Sequence, residues 1–246
     1  MLYELSFIGI IVGFLSGFFG IGGGTILVPI LMAIGIDIKE AVGISVTQMV
    51  FSSLFGSYLN FKKQIFKIHE GISLGVGGFL GALGSGYFIS LVNSKILEYM
   101  FLAFVLFAFY RFFKKNIEET KEKDLPSIVI FLVGLFVGLF AISIGVGGSI
   151  LVTPILVGLF HFDVKKAASM GLFFVIFSSI SGFISLSLFG HINYLYGFIV
   201  GASSLIGVFF GIKLAHKTDR RKFKNLLIVM YAVILILVIR KIWLSG

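Results

Sequence analysis

The chain has 246 residues, 58% of them hydrophobic and 13% charged, and its mean hydropathy is +1.11. A soluble domain carries about 25% charged residues and could not cover this much apolar surface, so the solvent for most of the chain is lipid and the expected fold is all-α and polytopic. The absence of cysteine excludes disulfides, zinc-thiolate sites and iron–sulfur clusters, and a net charge of +9 fits basic cytoplasmic loops better than a nucleic-acid surface.

The amino end, Met1-Leu2-Tyr3-Glu4-Leu5, lacks the basic stretch of a cleaved signal, so the first apolar run is expected to stay as a span. That run, residues 5–34, is interrupted by Gly20-Ile21-Gly22-Gly23-Gly24-Thr25. Each glycine costs about 1 kcal/mol relative to alanine inside a helix, so this density predicts a break between a span at 5–19 and a short helix at 25–34. Further apolar segments follow at 41–59, 72–92 and 96–113, closing a first transmembrane repeat over residues 1–113. A charged linker over 114–125, expected in the cytoplasm, leads to a second repeat over 126–246 with segments at 128–144, Ser149–Phe160, 167–189, 194–214 and 223–239. The glycine motif returns there as Gly145-Val146-Gly147-Gly148-Ser149, ahead of Pro154 as the first is ahead of Pro29.

The halves match beyond the motif. Asp37, Ala41, Phe51-Ser52-Ser53, Gly56, Gly71, Gly75 and Gly81 recur 126 residues later as Asp163, Ala167, Phe177-Ser178-Ser179, Gly182, Gly197, Gly201 and Gly207. One offset over so long a span reads as an internal duplication. At 1.5 Å per residue the two short segments reach about 15–18 Å, half of a hydrocarbon core, so each is a half-helix. If each broken segment crossed the membrane once, the basic residues would divide evenly between the two sides. If each turns back at its glycines, sixteen of the twenty Lys and Arg fall on one side, as the positive-inside rule expects. The hairpin topology makes the number of crossings per half odd. The fold expected is therefore two inverted repeats, each a glycine-broken helical hairpin plus three spans, with both termini outside.

Broken helices in corresponding positions of two halves point to a binding site near the midplane. A hydroxyl at the start of each short helix, Thr25 or Ser149, is placed to accept from first-turn N–H groups, and free N–H groups with a positive dipole end form an anion site. The candidate substrate-binding residues are Gly22, Gly23, Gly24, Thr25, Gly147, Gly148 and Ser149. Gln48 joins them, because an amide deep in an apolar span costs several kcal/mol unless it is partnered and so should face the bundle interior. The competing readings are that the glycines serve close helix packing and that Gln48 makes an ordinary interhelical hydrogen bond.

At these residues the sequence resembles the sulfite exporter TauE/SafE family of membrane permeases, whose glycine-rich motif followed by a proline occurs twice. The stretch Ala41-Val42-Gly43-Ile44-Ser45 is similar to the small-residue motif that follows it in that family, whereas its counterpart Ala167-Ala168-Ser169-Met170-Gly171 departs from the pattern. The resemblance covers both halves. It implies a multi-pass transporter of the cell membrane that carries small sulfur-containing anions such as sulfite or organosulfonates, usually outward.

The remaining polar residues fit that reading. Asp37 and Asp163 stand at predicted helix starts, and Asp37 has Glu40 at capping-box spacing. No Asp, Glu, Lys or Arg falls mid-span, and the histidines fall in loops, so neither a metal site nor a buried proton relay is expected. The string Gly71-Ile72-Ser73-Leu74-Gly75 lies in an apolar helix without a His–carboxylate partner, which argues against an enzyme. No cofactor and no nucleic-acid partner are expected, the lipid bilayer is, and a homo-oligomer is left open. Two other classes stay open: an anion channel using the same donors, and a non-transporting scaffold that binds a partner through its basic loops.

Overall fold

The computed structural model describes residues 2–62, 68–114 and 126–244. The basic stretch at 63–67 and most of the charged linker expected over 114–125 lie outside these residues. The first half consists of α1 (Leu2–Phe19), α2 (Gly24–Ala33), α3 (Ile38–Lys62), α4 (Ile68–Ala82), α5 (Ser85–Leu91) and α6 (Ser94–Lys114). The second consists of α7 (Ser127–Ser143), α8 (Ser149–Phe160), α9 (Val164–Leu188), α10 (Tyr194–Lys217) and α11 (Arg220–Leu244). Both glycine motifs break the chain where the sequence predicts, leaving short helices of 10 and 12 residues. Among the described residues six stretches, Leu2–Phe19, Ile38–Phe61, Gly71–Leu91, Val164–Leu188, Tyr194–Lys217 and Arg220–Lys241, are long and apolar enough to cross a membrane.

One expected span differs. Residues 72–92 form two helices, α4 and α5, because a side chain of α9 enters their hydrogen-bond ladder. The Ser185 hydroxyl donates to the carbonyl of Leu83 at 2.7 Å, and its oxygen accepts from the N–H of Gly86 at 3.0 Å. The residue 126 positions before Ser185 is Leu59, which can do neither, and α10, the counterpart of α4 and α5, runs unbroken.

Small residues set the helix pairings. Gly9, Gly13 and Gly17 of α1 lie on Val200, Ser204 and Val208 of α10, so these two helices run parallel, and Gly77 and Gly81 of α4 lie on Phe131 and Leu135 of α7 in the same manner. Gly197 and Gly201 bring α10 alongside Thr47 and Phe51 of α3, while Gly71 and Gly75 bring α4 alongside Phe173 and Phe177 of α9, again parallel in each case. Helices α3 and α9 cross antiparallel, with Gly56 near Leu172 and Gly43 against the carbonyl of His191 beyond the other end of α9. Hence α1, α3 and α10 run one way and α4, α7 and α9 the other. Exchanging the halves turns each contact into its counterpart: α1 with α10 into α7 with α4, α2 with α3 into α8 with α9, and α2 with α11 into α8 with α6.

The outward faces carry Phe7, Leu132, Phe136, Ile206 and Ile236, each more than half exposed, which water would not tolerate over so wide a surface but lipid does. Exposed Tyr3, Tyr99, Tyr194 and Trp243 ring one end, and Tyr58 and Tyr110 stand at the other, as aromatic belts do. No Lys, Arg, Asp or Glu is buried among the described residues. The protein is a multi-pass, all-helical membrane protein.

A Cβ at Gly13 would strike the Ser204 backbone. Gly13→Val should therefore push α1 off α10 at a cost of about 1–3 kcal/mol of overpacking, read as a lower midpoint in thermal unfolding of the detergent-solubilised protein.

Candidate functional site

The two glycine turns share one backbone shape. Gly20, Gly22 and Gly23 have φ of 69°, 74° and 84°, and Gly145, Gly147 and Gly148 have 73°, 72° and 89°. Side chains are strongly disfavoured in this left-handed region, which explains both triplets of glycine positions. The last glycine of each turn caps the short helix. The Gly23 carbonyl accepts from the N–H groups of Ile26 and Leu27 at 3.1 and 3.0 Å, and the Gly148 carbonyl from those of Leu151 and Val152 at 3.0 and 2.9 Å.

This corrects the capping role expected of Thr25 and Ser149. Both lie inside the first turn, because the cap itself needs a φ that only glycine takes readily. The motifs align with Gly20 on Gly145, so the counterpart of Ser149 is Gly24 and that of Thr25 is Ile150.

Serines hold the turns in place. The Ser52 hydroxyl donates to the Gly22 carbonyl at 3.3 Å, and its duplicate Ser178 donates to the Gly147 carbonyl at 3.0 Å. Ser45 reaches across the halves to the Gly145 carbonyl at 2.7 Å. The sequence marked Ser52 and Ser178 as a duplicated pair but gave no reason to put them at the turns. The residue matching Ser45 is Gly171, where a Cβ would stand 3.2 Å from Cβ of Ser149 and 3.0 Å from Oγ1 of Thr153. Conversely a Cβ on Gly24 would stand 2.5 Å from Oγ of Ser45, so each half keeps one hydroxyl at this contact and gives it to the opposite helix.

The turns meet at the centre of the bundle. Gly22 and Gly147 both lie against Met49 and Val175, with a Cβ on either placed 3.0 to 3.2 Å from Val175 Cγ1. Gly24 abuts the Gly145 carbonyl, and Gly20 abuts the Ala168 carbonyl. A Cβ on Gly23 would stand 2.5 Å from Oε1 of Gln48. The equivalent glycine, Gly148, faces the ring of Phe174 and the side chain of Val137 instead. Of the expected residues, then, Gly22 and Gly147 share Met49 and Val175 and Gly23 stands on Gln48, while Gly24 meets Gly145 and Ser45, Gly148 meets Phe174 and Val137, and Ser149 lies beside Gly171.

Most of the polar groups here lack partners. Oγ1 of Thr25, Oγ of Ser149, Oγ1 of Thr153 and both amide atoms of Gln48 are fully buried with no hydrogen bond among the described residues. The N–H groups of Gly24, Thr25, Ser149 and Ile150 likewise find no backbone acceptor there. An orphaned buried polar group costs about 1–3 kcal/mol, so several gathered in a core are what a polar ligand would satisfy. The donors are neutral N–H and O–H groups beside two helix amino ends, an arrangement suited to an anion without a countercharge.

The approaches to this centre differ between the two ends of the molecule. At one end a cleft of about 530 Å³ is lined by Asn60, Asp163, Lys165, Lys166, Ser169 and Arg220, and it descends to Gly17 and Gly20 of the first motif. At the other end a shallower depression lies between Asp37, Lys39, Glu40 and residues 190–195, and Gly145 is not among its walls. Two equivalent positions mark the contrast, since Gly43 is packed against the His191 carbonyl while Ser169 lines the open cleft.

The aspartates at the mouths behave as expected of helix starts. Oδ1 of Asp163 accepts from the N–H groups of Lys165 and Lys166, and Oδ1 of Asp37 from that of Lys39. Their second oxygens bind matching positions, Oδ2 of Asp163 pairing with Nε of Arg220 at 3.0 Å and Oδ2 of Asp37 accepting from the Ser94 hydroxyl at 3.0 Å. Glu40 does not complete a capping box; it accepts from Asn193 at 2.9 Å. Burial, with the charge of Lys39 nearby, holds the His191 imidazole below its ordinary pKa and therefore neutral at pH 7.

A family model described as sulfite exporter TauE/SafE matches residues 5–238. Curated relatives agree in kind. A probable membrane transporter protein of Bacillus subtilis, YunE, is 25% identical over 95% of this chain and 94% of its own length. One of Methanocaldococcus jannaschii is 29% identical over 74% and 70%, and YfcA of Escherichia coli is 20% identical over 95% and 87%. No solved structure matches.

Gln48→Leu removes two orphaned polar atoms and should raise stability by about 1–3 kcal/mol, seen as a higher unfolding midpoint. Gly23→Ala, which forces a side chain onto Gln48 at positive φ, should lower it.

Proposed function

Because this chain belongs to the sulfite exporter TauE/SafE family, we propose that it exports small sulfur-containing anions such as sulfite or organosulfonates by alternating access. The observation that carries the reading is the pair of superimposable glycine turns meeting over Met49 and Val175, with unpartnered hydroxyl, amide and N–H donors around them. In this mechanism the anion sheds water and is held by the first-turn N–H groups of α2 and α8. Thr25, Ser149 and Gln48 add side-chain donors. Neutral donors favour turnover, since a buried guanidinium would hold a dianion too tightly to release.

The two halves act as inverted repeats, a reading supported by the opposed directions of α3 and α9 and by the contacts that interchange when the halves are swapped. Both termini and the Asp37 face then lie outside, and the face of Lys165, Lys166 and Arg220 lies in the cytoplasm. Among the described residues one approach reaches Gly20 and His191 packs on Gly43 at the other, which supports reading this conformation as inward-open. Rocking of one repeat against the other would exchange the two.

Two experiments test this. In proteoliposomes, labelled sulfite should enter saturably, be inhibited by thiosulfate and short alkyl sulfonates but not by acetate, and lose at least tenfold in rate with Thr25→Ala combined with Ser149→Ala. Flux that never saturates would point to a channel, and undiminished flux in the double variant would remove these hydroxyls from the site. The natural absence of cysteine makes orientation directly readable. A membrane-impermeant thiol reagent applied to intact cells should label Leu188→Cys and spare Lys217→Cys, and the reverse pattern would invert the assignment.

A further inference from the structure

The two approaches carry opposite charge. Among the described residues lining it, the open cleft gathers three cations, Lys165, Lys166 and Arg220, against one carboxylate, that of Asp163. The depression on the opposite face has two carboxylates, Asp37 and Glu40, against the single ammonium of Lys39, and its His191 is neutral. Only part of each set is tied up: Asp163 takes one cation, Arg220, while the Lys165 ammonium pairs with no carboxylate among the described residues. Helix dipoles do not set the contrast, since α9 and α11 begin at the basic cleft and α3 and α10 begin at the opposite depression, so the difference lies in the side-chain charges.

We propose that these mouths make the protein an asymmetric carrier of anions: the basic cleft is a collecting site that lowers KM on its side, and the Glu40 mouth raises KM on the other. The inference rests on the transport reading and adds to it the residues that make loading from the basic face kinetically preferred. An anion arriving at the basic face gains Coulomb energy from the cleft before it is desolvated at Gly20. One released at the opposite face meets net negative charge and is not readily recaptured. Reversibility requires Vmax/KM to be equal in both directions for an uncoupled carrier, so the asymmetry is kinetic. It loads the basic face at low anion concentration and shifts no equilibrium.

The signature is electrostatic and therefore depends on valence, salt and side. Proteoliposomes are prepared with the protein in one orientation, verified through Lys217→Cys, and KM is measured from each face for sulfite as a mixture of mono- and dianion across pH, and for a methylsulfonate monoanion. Removing one half-buried cleft charge with Lys165→Gln should raise KM from the basic face about threefold for a monoanion and roughly ninefold for a dianion, the size of a partly exposed charge contact scaled by valence. Lys165→Arg should restore it. Glu40→Gln, which keeps an acceptor for Asn193, should lower KM from the opposite face by a similar factor. Both effects should fade as salt shortens the Debye length from about 8 Å at 0.15 M to about 3 Å at 1 M. Equal wild-type KM values from the two faces, or a Lys165→Gln effect indifferent to valence and salt, would overturn the asymmetry while leaving transport intact. A wild-type protein that moves no anion would overturn the transport reading and this one with it.

Discussion

Inside a bilayer a backbone carbonyl that leaves its helix has no water to accept from, and each unmet group costs several kcal/mol. This protein turns its chain twice in the middle of the bundle and so exposes itself to that penalty twice. Serine hydroxyls meet it, Ser52 on Gly22, Ser178 on Gly147 and Ser45 on Gly145. The geometry of α2 and α8 depends on these contacts, because a turn free to relax would no longer aim the first-turn N–H groups of the short helices at a common centre. These turn carbonyls are satisfied while the first-turn N–H groups beside them find no backbone acceptor, which is the backbone polarity an anion needs.

Much of this was legible in the chain. Composition fixes a lipid-solvated helical bundle, glycine density fixes where helices break, and the repeat at one offset foretells which helices exchange partners. The glycine positions even foretell backbone shape, since three glycines in the same places produce the same run of positive φ in both turns. What stayed hidden depended on contacts across helices. Ser185 looks like any small polar residue in an apolar span, yet its hydroxyl splits α4 from α5, and nothing local to 72–92 announces it. Thr25 and Ser149 have the chemistry of helix caps, but the cap position is claimed by a glycine whose φ they cannot take easily. Cleft and seal could not be foreseen, since charge tells the two ends apart but the packing of Gly43 and the lining place of Ser169 depend on contacts between helices.

The departures from symmetry concentrate at the centre. Position 48 is Gln and its equivalent, 174, is Phe, each pressed on the last glycine of its turn. One repeat thus lends the centre an amide, the other an aromatic ring, and with Val137 the second repeat makes that side apolar. The exchange of a hydroxyl between Ser45 with Gly24 and Ser149 with Gly171 alters which helix carries the polar group without enlarging the contact. The duplicated frame is kept strictly where backbone conformation demands it and relaxed where side chains face the space between repeats.

The two aspartate anchors differ in a way that bears on energy as well as architecture. Asp37 is tied to the start of α6 by a neutral hydroxyl, Asp163 to the start of α11 by a guanidinium at the same distance. A machine made of two identical copies would have degenerate end states, each the mirror of the other, and would idle half its time facing either way. Under the alternating-access reading proposed above, the unequal aspartate anchors lift that degeneracy and give the empty protein a resting side. An apparent dissociation constant is the intrinsic one divided by the fraction of molecules facing the ligand, so under that reading the bias would scale KM on both sides and in opposite senses. On that reading, divergence after duplication would be enough to give a carrier its idle position.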